Sequence, residues 1–292
     1  MHKIDNVQVK QEVMDKKYTL LSFDELPLFV RIWKSAEKPK AVILIVHSFG
    51  EHSGRYNTLA RKFVECGFYV ISFDMRGHGN SGGKRGQSTN YNKLLKDLEI
   101  ICHQVDNEFF EIPKILYGHS FGGNLAINFS IVNLCRFSGI IISSPWLKLE
   151  FQLPRLIFLL GSIFSHVFPN MISKTGLDPD SLSRNPEVIS SYKNDPLVHD
   201  KISLRLFMQI VESGIKASGS IYKINAPLLV MHGSADKITS FKATQNFVMN
   251  ASSKTTFKEW PENYHELHND LNSEEVFDFA VDWLNKILSV NN

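Results

Sequence analysis

Short, continuous apolar runs constrain this chain more than anything else in it. AVILIV at 41–46, FYVISF at 68–73, KILY at 114–117, GIIIS at 139–143 and PLLVM at 227–231 are rich in Val and Ile. They do not alternate apolar with polar, as a strand with one wet face would. They read as strands covered on both faces, the habit of parallel sheets. A weaker sixth run lies at 255–259. Helix-length stretches separate them, at 55–66, 91–108, 121–133, 240–250 and 273–288. Ser273 ahead of Glu274 and Glu275 reads as an N-cap followed by acidic residues in the first turn. Strand–helix alternation predicts an α/β architecture with a mostly parallel sheet flanked by helices. Segments 17–22 and 26–33, with Phe23-Asp24-Glu25 between them, read as an antiparallel hairpin at the sheet edge.

The alternation breaks between about 145 and 225. That segment shows no strong strand signal. It holds an apolar stretch at 153–168 (LPRLIFLLGSIFSHVF), polar turns at 178–180, 184–186 and 194–196, and a helical run near 202–215. It reads as a mostly helical insertion over the carboxyl edge of the sheet. No linker or internal repeat divides the 292 residues, so one domain over 1–292 is expected, with the insertion at 145–225 inside it. The apolar stretch falls short of the roughly 20 residues a spanning helix needs. The polar N-terminus lacks the apolar core of a signal peptide. Cys66, Cys102 and Cys135 form no CxxC, which argues against a disulfide framework. A soluble, cytoplasmic protein is the expectation. With 32 basic and 30 acidic residues, the net charge of +2 argues against nucleic acid as the ligand.

GHSFG at 118–122 is a G-x-S-x-G sequence placed where a strand hands over to a helix. Glycines two before and two after the serine let the backbone turn sharply and raise the hydroxyl at the sheet end. Ser120 is the candidate nucleophile. On such a turn the serine is followed along the chain by an orienting acid and then a histidine base. Asp236 stands just past the strand at 227–231. His265 follows the strand at 255–259 and the turn-rich WPENY, and His268 is a rival base three residues on. The pair in HELH lacks the i, i+4 spacing of a zinc-binding helix. No metal and no cofactor are expected.

HSFGEHSGRY at 47–56 matches nearly every place of an H-G-x-G-E-H-S-x-R-Y signature, with Ser48 where glycine is usual. On this ground the chain resembles the α/β-hydrolase group of monoacylglycerol lipases and bacterial lysophospholipase-like hydrolases. DMRGHGNS at 74–81, GHSFGG at 118–123, LSRN at 182–185, NDPL at 194–197, GSAD at 233–236 and YHELH at 264–268 extend the match in order. The resemblance implies the α/β-hydrolase fold with a helical cap over the active site. It implies Ser120 as nucleophile, Asp236 as orienting acid and His265 as base. The N–H groups of Phe49 and Phe121 would form the oxyanion hole. Glu51, Arg55, Tyr192 and His268 match positions that hold glycerol hydroxyls, although a Glu51–Arg55 pair that fixes the loop is the plainer reading. Arg76 and His78 read as organisers of a loop. Ile157, Leu160, Ile163 and Phe164 would form an acyl-chain or membrane surface on the cap. The implied activity is hydrolysis of monoacylglycerols, lipid esters of medium or long chain, to fatty acid and glycerol. A lysophospholipase, carboxylesterase or peptidase of the same fold is the alternative, and an inactive binding module is another.

Overall fold

Every residue of β3 (Val42–Val46), β4 (Tyr69–Phe73) and β6 (Gly139–Ser143) is buried, as continuous apolar runs require of strands covered on both faces. The structure is a computed structural model describing residues 12–87, 90–132, 135–151 and 155–290, with side chains described outside 155–160 and 290. The sheet also contains β1 (Met14–Leu21), β2 (Pro27–Lys34) and β5 (Lys114–His119). After a two-stranded ribbon of β7 (Ile172–Lys174) and β8 (Lys201–Ser203) come β9 (Leu228–Gly233) and β10 (Thr255–Trp260). The order is β1-β2-β4-β3-β5-β6-β9-β10. The hairpin β1–β2 and the β2–β4 pair are antiparallel, and every other pair is parallel.

Alternation within each strand splits the core into two layers. Val42, Leu44 and Val46 pack with Leu98 of α2 (Tyr91–Glu108), with Leu125 and Phe129 of α3 (Phe121–Val132), and with Ile210 of a later helix. Ile43 and Ile45 face Phe63 of α1 (Asn57–Glu65) and Phe277 and Leu284 of the C-terminal helix. Each fully buried Val, Leu or Ile contributes about 1.5–3 kcal/mol relative to exposure. Parallel pairing also levels the strand ends: Val46 lies opposite Gly118, and His119 opposite Ser143. The loops after β3, β5, β9 and β10 therefore share one carboxyl edge, where ligands of such sheets bind.

The segment between β6 and β9 carries α4 (Arg155–Val167), α5 (Pro186–Asn194) and α6 (Leu204–Ser218). It is mostly helical, with one short ribbon the sequence did not signal, β7 paired with β8. Three-residue strands are too short to show a period in sequence. Helix α6 is not a surface addition. It lies against α3, where Asn124 Nδ2 donates to Trp146 O (2.8 Å) and Asn124 Oδ1 accepts from Ser213 Oγ (2.9 Å) and Tyr91 Oη (2.6 Å). A Cβ at Gly214 would lie 2.2 Å from Leu147 O, so glycine lets α6 approach that closely. The remaining helices are α7 (Phe241–Met249) and α8 (Ser273–Val290). Among the described residues no helix is long and apolar enough to cross a membrane.

Candidate active site

Ser120 sits between β5 and α3 with φ of +53°, a left-handed conformation for a residue that carries a side chain. Its N–H donates to Ser143 O (2.9 Å), and its carbonyl accepts from Asn124 N (3.0 Å) and Trp146 N (2.9 Å). These bonds hold a strained turn whose backbone costs about 1–3 kcal/mol. The flanking glycines are there for space. A Cβ on Gly122 would lie 2.0 Å from Val46 O, and one on Gly118 would lie 2.6 Å from Gly122 O.

Asp236 lies in the turn after β9, and its buried carboxylate accepts five hydrogen bonds. Oδ2 takes them from His265 Nδ1 (2.7 Å), His232 Nε2 (3.0 Å) and Thr239 Oγ1 (2.8 Å). Oδ1 takes them from the N–H groups of Ile238 (2.8 Å) and Thr239 (3.0 Å). Burial alone would raise the acid, but His265, then His232, outweigh it and hold Asp236 well below the usual carboxylate range. For His265 burial alone would lower the imidazole, and the charge and hydrogen bond of Asp236 reverse this to a net rise. Asp236 and His265 thus form one buried pair. The residue before Ser120 reaches it, the His119 ring lying 4.8 Å from that of His265. Among the described residues no hydrogen bond joins the Ser120 hydroxyl to His265; such bonds are often long without substrate.

The Phe49 and Phe121 N–H groups make no hydrogen bond among the described residues. Phe121 opens α3, so its amide adds the positive end of a helix. Phe49 rides on a turn pinned by Glu51. Glu51 Oε1 accepts from Ser48 N (2.7 Å) and Tyr56 Oη (2.7 Å), and Oε2 accepts from Arg55 Nε (2.9 Å). Arg55 Nη2 reaches both oxygens of Glu266 at 2.9 Å. His199 N closes the turn from the insertion, donating to Gly50 O (2.8 Å).

A cavity of about 250 Å³ opens on Ser120. Its walls include Phe49, Trp146, Leu149, Ile202, Phe207 and Ile238, with Ser181, Tyr192, His199 and Lys237 among its polar groups. Burial, then Arg85, pushes His199 down to about 4, so its ring is neutral near pH 7. Of the residues expected to hold glycerol, Tyr192 lines this cavity. Glu51, Arg55 and His268 do not. Glu51 and Arg55 are consumed in the buried network described above, which is the loop-fixing reading. His268 stacks on Tyr56, with ring centroids 5.0 Å apart. Ile163 and Phe164 are also absent from the wall: they are 57% and 49% exposed. The side chains of Ile157 and Leu160 lie outside the described residues.

The family model described as serine aminopeptidase, S33 (Hydrolase_4), matches residues 37–272. The chain belongs to this family. Over 91% of its length it is 34% identical to an uncharacterized abhydrolase domain-containing protein of Dictyostelium discoideum, and it spans 28% of that longer protein. It is 31% identical to the monoglyceride lipase of Rattus norvegicus, across 86% of this chain and 84% of that one. The crystal structure of Paleococcus ferrophilus monoacylglycerol lipase superposes with a TM-score of 0.77 at 30% identity, covering 95% of this chain and 99% of that one. The architecture is therefore the α/β-hydrolase fold.

Several groups that shape the site of this S33 hydrolase left no mark in sequence. His232 ends β9 and donates to Asp236 while its Nδ1 pairs with Thr244 Oγ1 (2.8 Å). Thr239 hydrogen-bonds the same carboxylate from three residues on. Glu266, beside His265, completes the Arg55 network from 211 residues away. Spacing does not foretell such partners. One signal was readable: a carboxylate directly after the candidate base.

Proposed function

We propose that this chain hydrolyses monoacylglycerols through an acyl-enzyme on Ser120. The observation that carries this is Ser120 on its strained turn, lining a largely apolar cavity with the buried Asp236–His265 pair next to its neighbour His119 and two unengaged N–H groups nearby. His265 takes the Ser120 proton as the oxygen attacks the ester carbonyl. The oxyanion settles on the Phe49 and Phe121 amides. One such donor is worth about 10²–10³ in kcat. Glycerol leaves with the proton held by the imidazolium. Water, activated by the same histidine, then releases the fatty acid. Asp236 keeps Nδ1 protonated, so that Nε2 is the nitrogen that accepts.

The segment from Pro145 to Ser203 acts as the cap. Trp146, Phe207 and Ile202 house the acyl chain, and Tyr192 faces the glycerol. The exposed apolar side chains of Ile163, Phe164, Val167 and Phe168 at the end of α4 rest on a lipid surface. Replacing Ile163 and Phe164 with Ser should lower vesicle binding; unchanged binding removes this role. The relatives named monoglyceride lipase support the substrate, and the family's description as an aminopeptidase supplies the competitor.

The test sets a monoacylglycerol, a lysophospholipid of matched chain and an aminoacyl amide against one another, alongside fluorophosphonate labelling. The monoacylglycerol should give the highest kcat/KM, and Ser120→Ala should abolish labelling. Faster turnover of either rival overturns the substrate assignment. Labelling that survives in Ser120→Ala overturns the nucleophile.

A further inference from the structure

At the opposite end of the sheet from Ser120, α2 and the segment leading into β6 bring together a set of donor groups. His103 and Asp106 lie one turn apart on α2, and Cys135 precedes β6. An imidazole nitrogen, a carboxylate oxygen and a thiol sulfur, one from each, all lie within 4.8 Å of one another. Cys135 is a free thiol.

We propose that His103, Asp106 and Cys135, with water in the fourth place, form a binding site for a thiophilic divalent cation, Zn²⁺ being the best fit. Sulfur, imidazole and carboxylate together suit zinc, whereas calcium and magnesium take oxygen ligands. Tetrahedral zinc with bonds of about 2.0–2.3 Å sets its donors about 3.3–3.8 Å apart. The donors must draw in by about 1 Å from their widest separation, a small rotamer change. His103 can supply it, with a side chain 60% exposed and a loose 3.9 Å approach to Glu99. A cleft lined by Asp106, Lys114, Cys135 and Arg136 opens the place to solvent.

Charge closes as well. One thiolate and one carboxylate carry two negative charges against two on the ion. Lys114 Nζ already lies 3.2 Å from Asp106 Oδ1 and leaves the second carboxylate oxygen for the ion. Binding releases the one thiol proton to solvent. Lys114 begins β5 and Ser120 follows its end, so this site lies on the order of 20 Å from the nucleophile. The ion would pin α2 to the turn between α3 and β6 and take no part in ester chemistry. The ligands come from two distant segments with no CxxC between them, which is why spacing did not reveal the site.

The test uses reduced, full-length protein, with Co²⁺ as the spectroscopic probe and Zn²⁺ as the competitor. Wild type should show thiolate-to-cobalt charge-transfer absorption, abolished by one equivalent of Zn²⁺ per chain. Affinity should fall at least tenfold in Cys135→Ser and in His103→Gln, both partly exposed positions. It should be unchanged in Cys66→Ser and in protein blocked at Ser120 by a fluorophosphonate. Absence of the charge-transfer band overturns the proposal. So does equal affinity in Cys135→Ser and His103→Gln, or loss of binding in Cys66→Ser or in the blocked protein.

Discussion

Glu51→Gln separates two roles for one carboxylate. Glu51 is 2% exposed and accepts from Ser48 N, Tyr56 Oη and Arg55 Nε. Glutamine replaces one acceptor oxygen with an NH₂ donor. The less costly orientation keeps the oxygen on Ser48 and Tyr56 and turns NH₂ against the Arg55 Nε–H. Breaking a buried pair costs about 3–5 kcal/mol. Arg55 keeps Glu266, so the lower end applies, about 3 kcal/mol. At this chain length that corresponds to a Tm loss of about 6–10 °C. The catalytic effect passes through the turn that Ser48 N and Glu51 hold. A displaced Phe49 amide loses part of the 10²–10³ that a deleted oxyanion donor forfeits, so kcat/KM should drop about 10–10². The assay compares a monoacylglycerol with a p-nitrophenyl ester of the same acyl chain, below the melting range. kcat/KM reports acylation and so sees the leaving group. If Glu51 fixes the loop, both substrates lose the same factor. A loss confined to the glycerol ester refutes this reasoning and returns Glu51 to the glycerol site.

Asp236→Asn should lower kcat by about 10⁴ through the wrong imidazole tautomer. It should also move the acid limb of the pH–rate profile. His265 works only when neutral, and its raised value puts that limb above the ordinary 6.5. With the aspartate charge gone, burial remains and the limb should shift to lower pH; a limb that stays in place counts against the pairing. Gly122→Ala sets a methyl 2.0 Å from Val46 O and should destabilise the protein by at least about 3 kcal/mol. A wild-type Tm with full fluorophosphonate labelling would contradict that. Phe207→Trp, on the cavity wall, should shift preference toward shorter acyl chains. Each excluded CH₂ forfeits about 0.8 kcal/mol, roughly fourfold in kcat/KM; an unchanged chain-length profile removes Phe207 from the acyl site.

The central strands were legible because burial on both faces leaves a run such as AVILIV no polar position, and few other structures tolerate that. The Ser120 turn was legible because steric crowding allows only glycine at 118 and 122. Within the insertion the helical run that became α6 was legible, but β7 and β8 were not, because they are three residues each and the polar turns around them carry no period. Glu51 and Arg55 could be named from sequence, but their surroundings could not. The same side chains serve a ligand or a loop according to whether Glu266 reaches them, and Glu266 comes from the far end of the chain. Ile163 and Phe164 were left between an acyl-chain and a membrane surface for a related reason: an apolar helix face announces that it is apolar, not which side it turns to the cavity.

The lashing of α6 to α3 through Asn124, Ser213 and Trp146 sets the mechanics of substrate access. Trp146 lines the cavity, yet its carbonyl is held by the helix that begins beside Ser120. Helix α6 serves as the crossover into β9, and it cannot shift without disturbing the serine turn itself. The residues between α4 and β8 are held differently, at scattered points: Arg184 on Asp270, Asp195 on His52 and His199 N on Gly50 O. An engineer who wishes to widen the doorway should change side chains there and leave α6 in place.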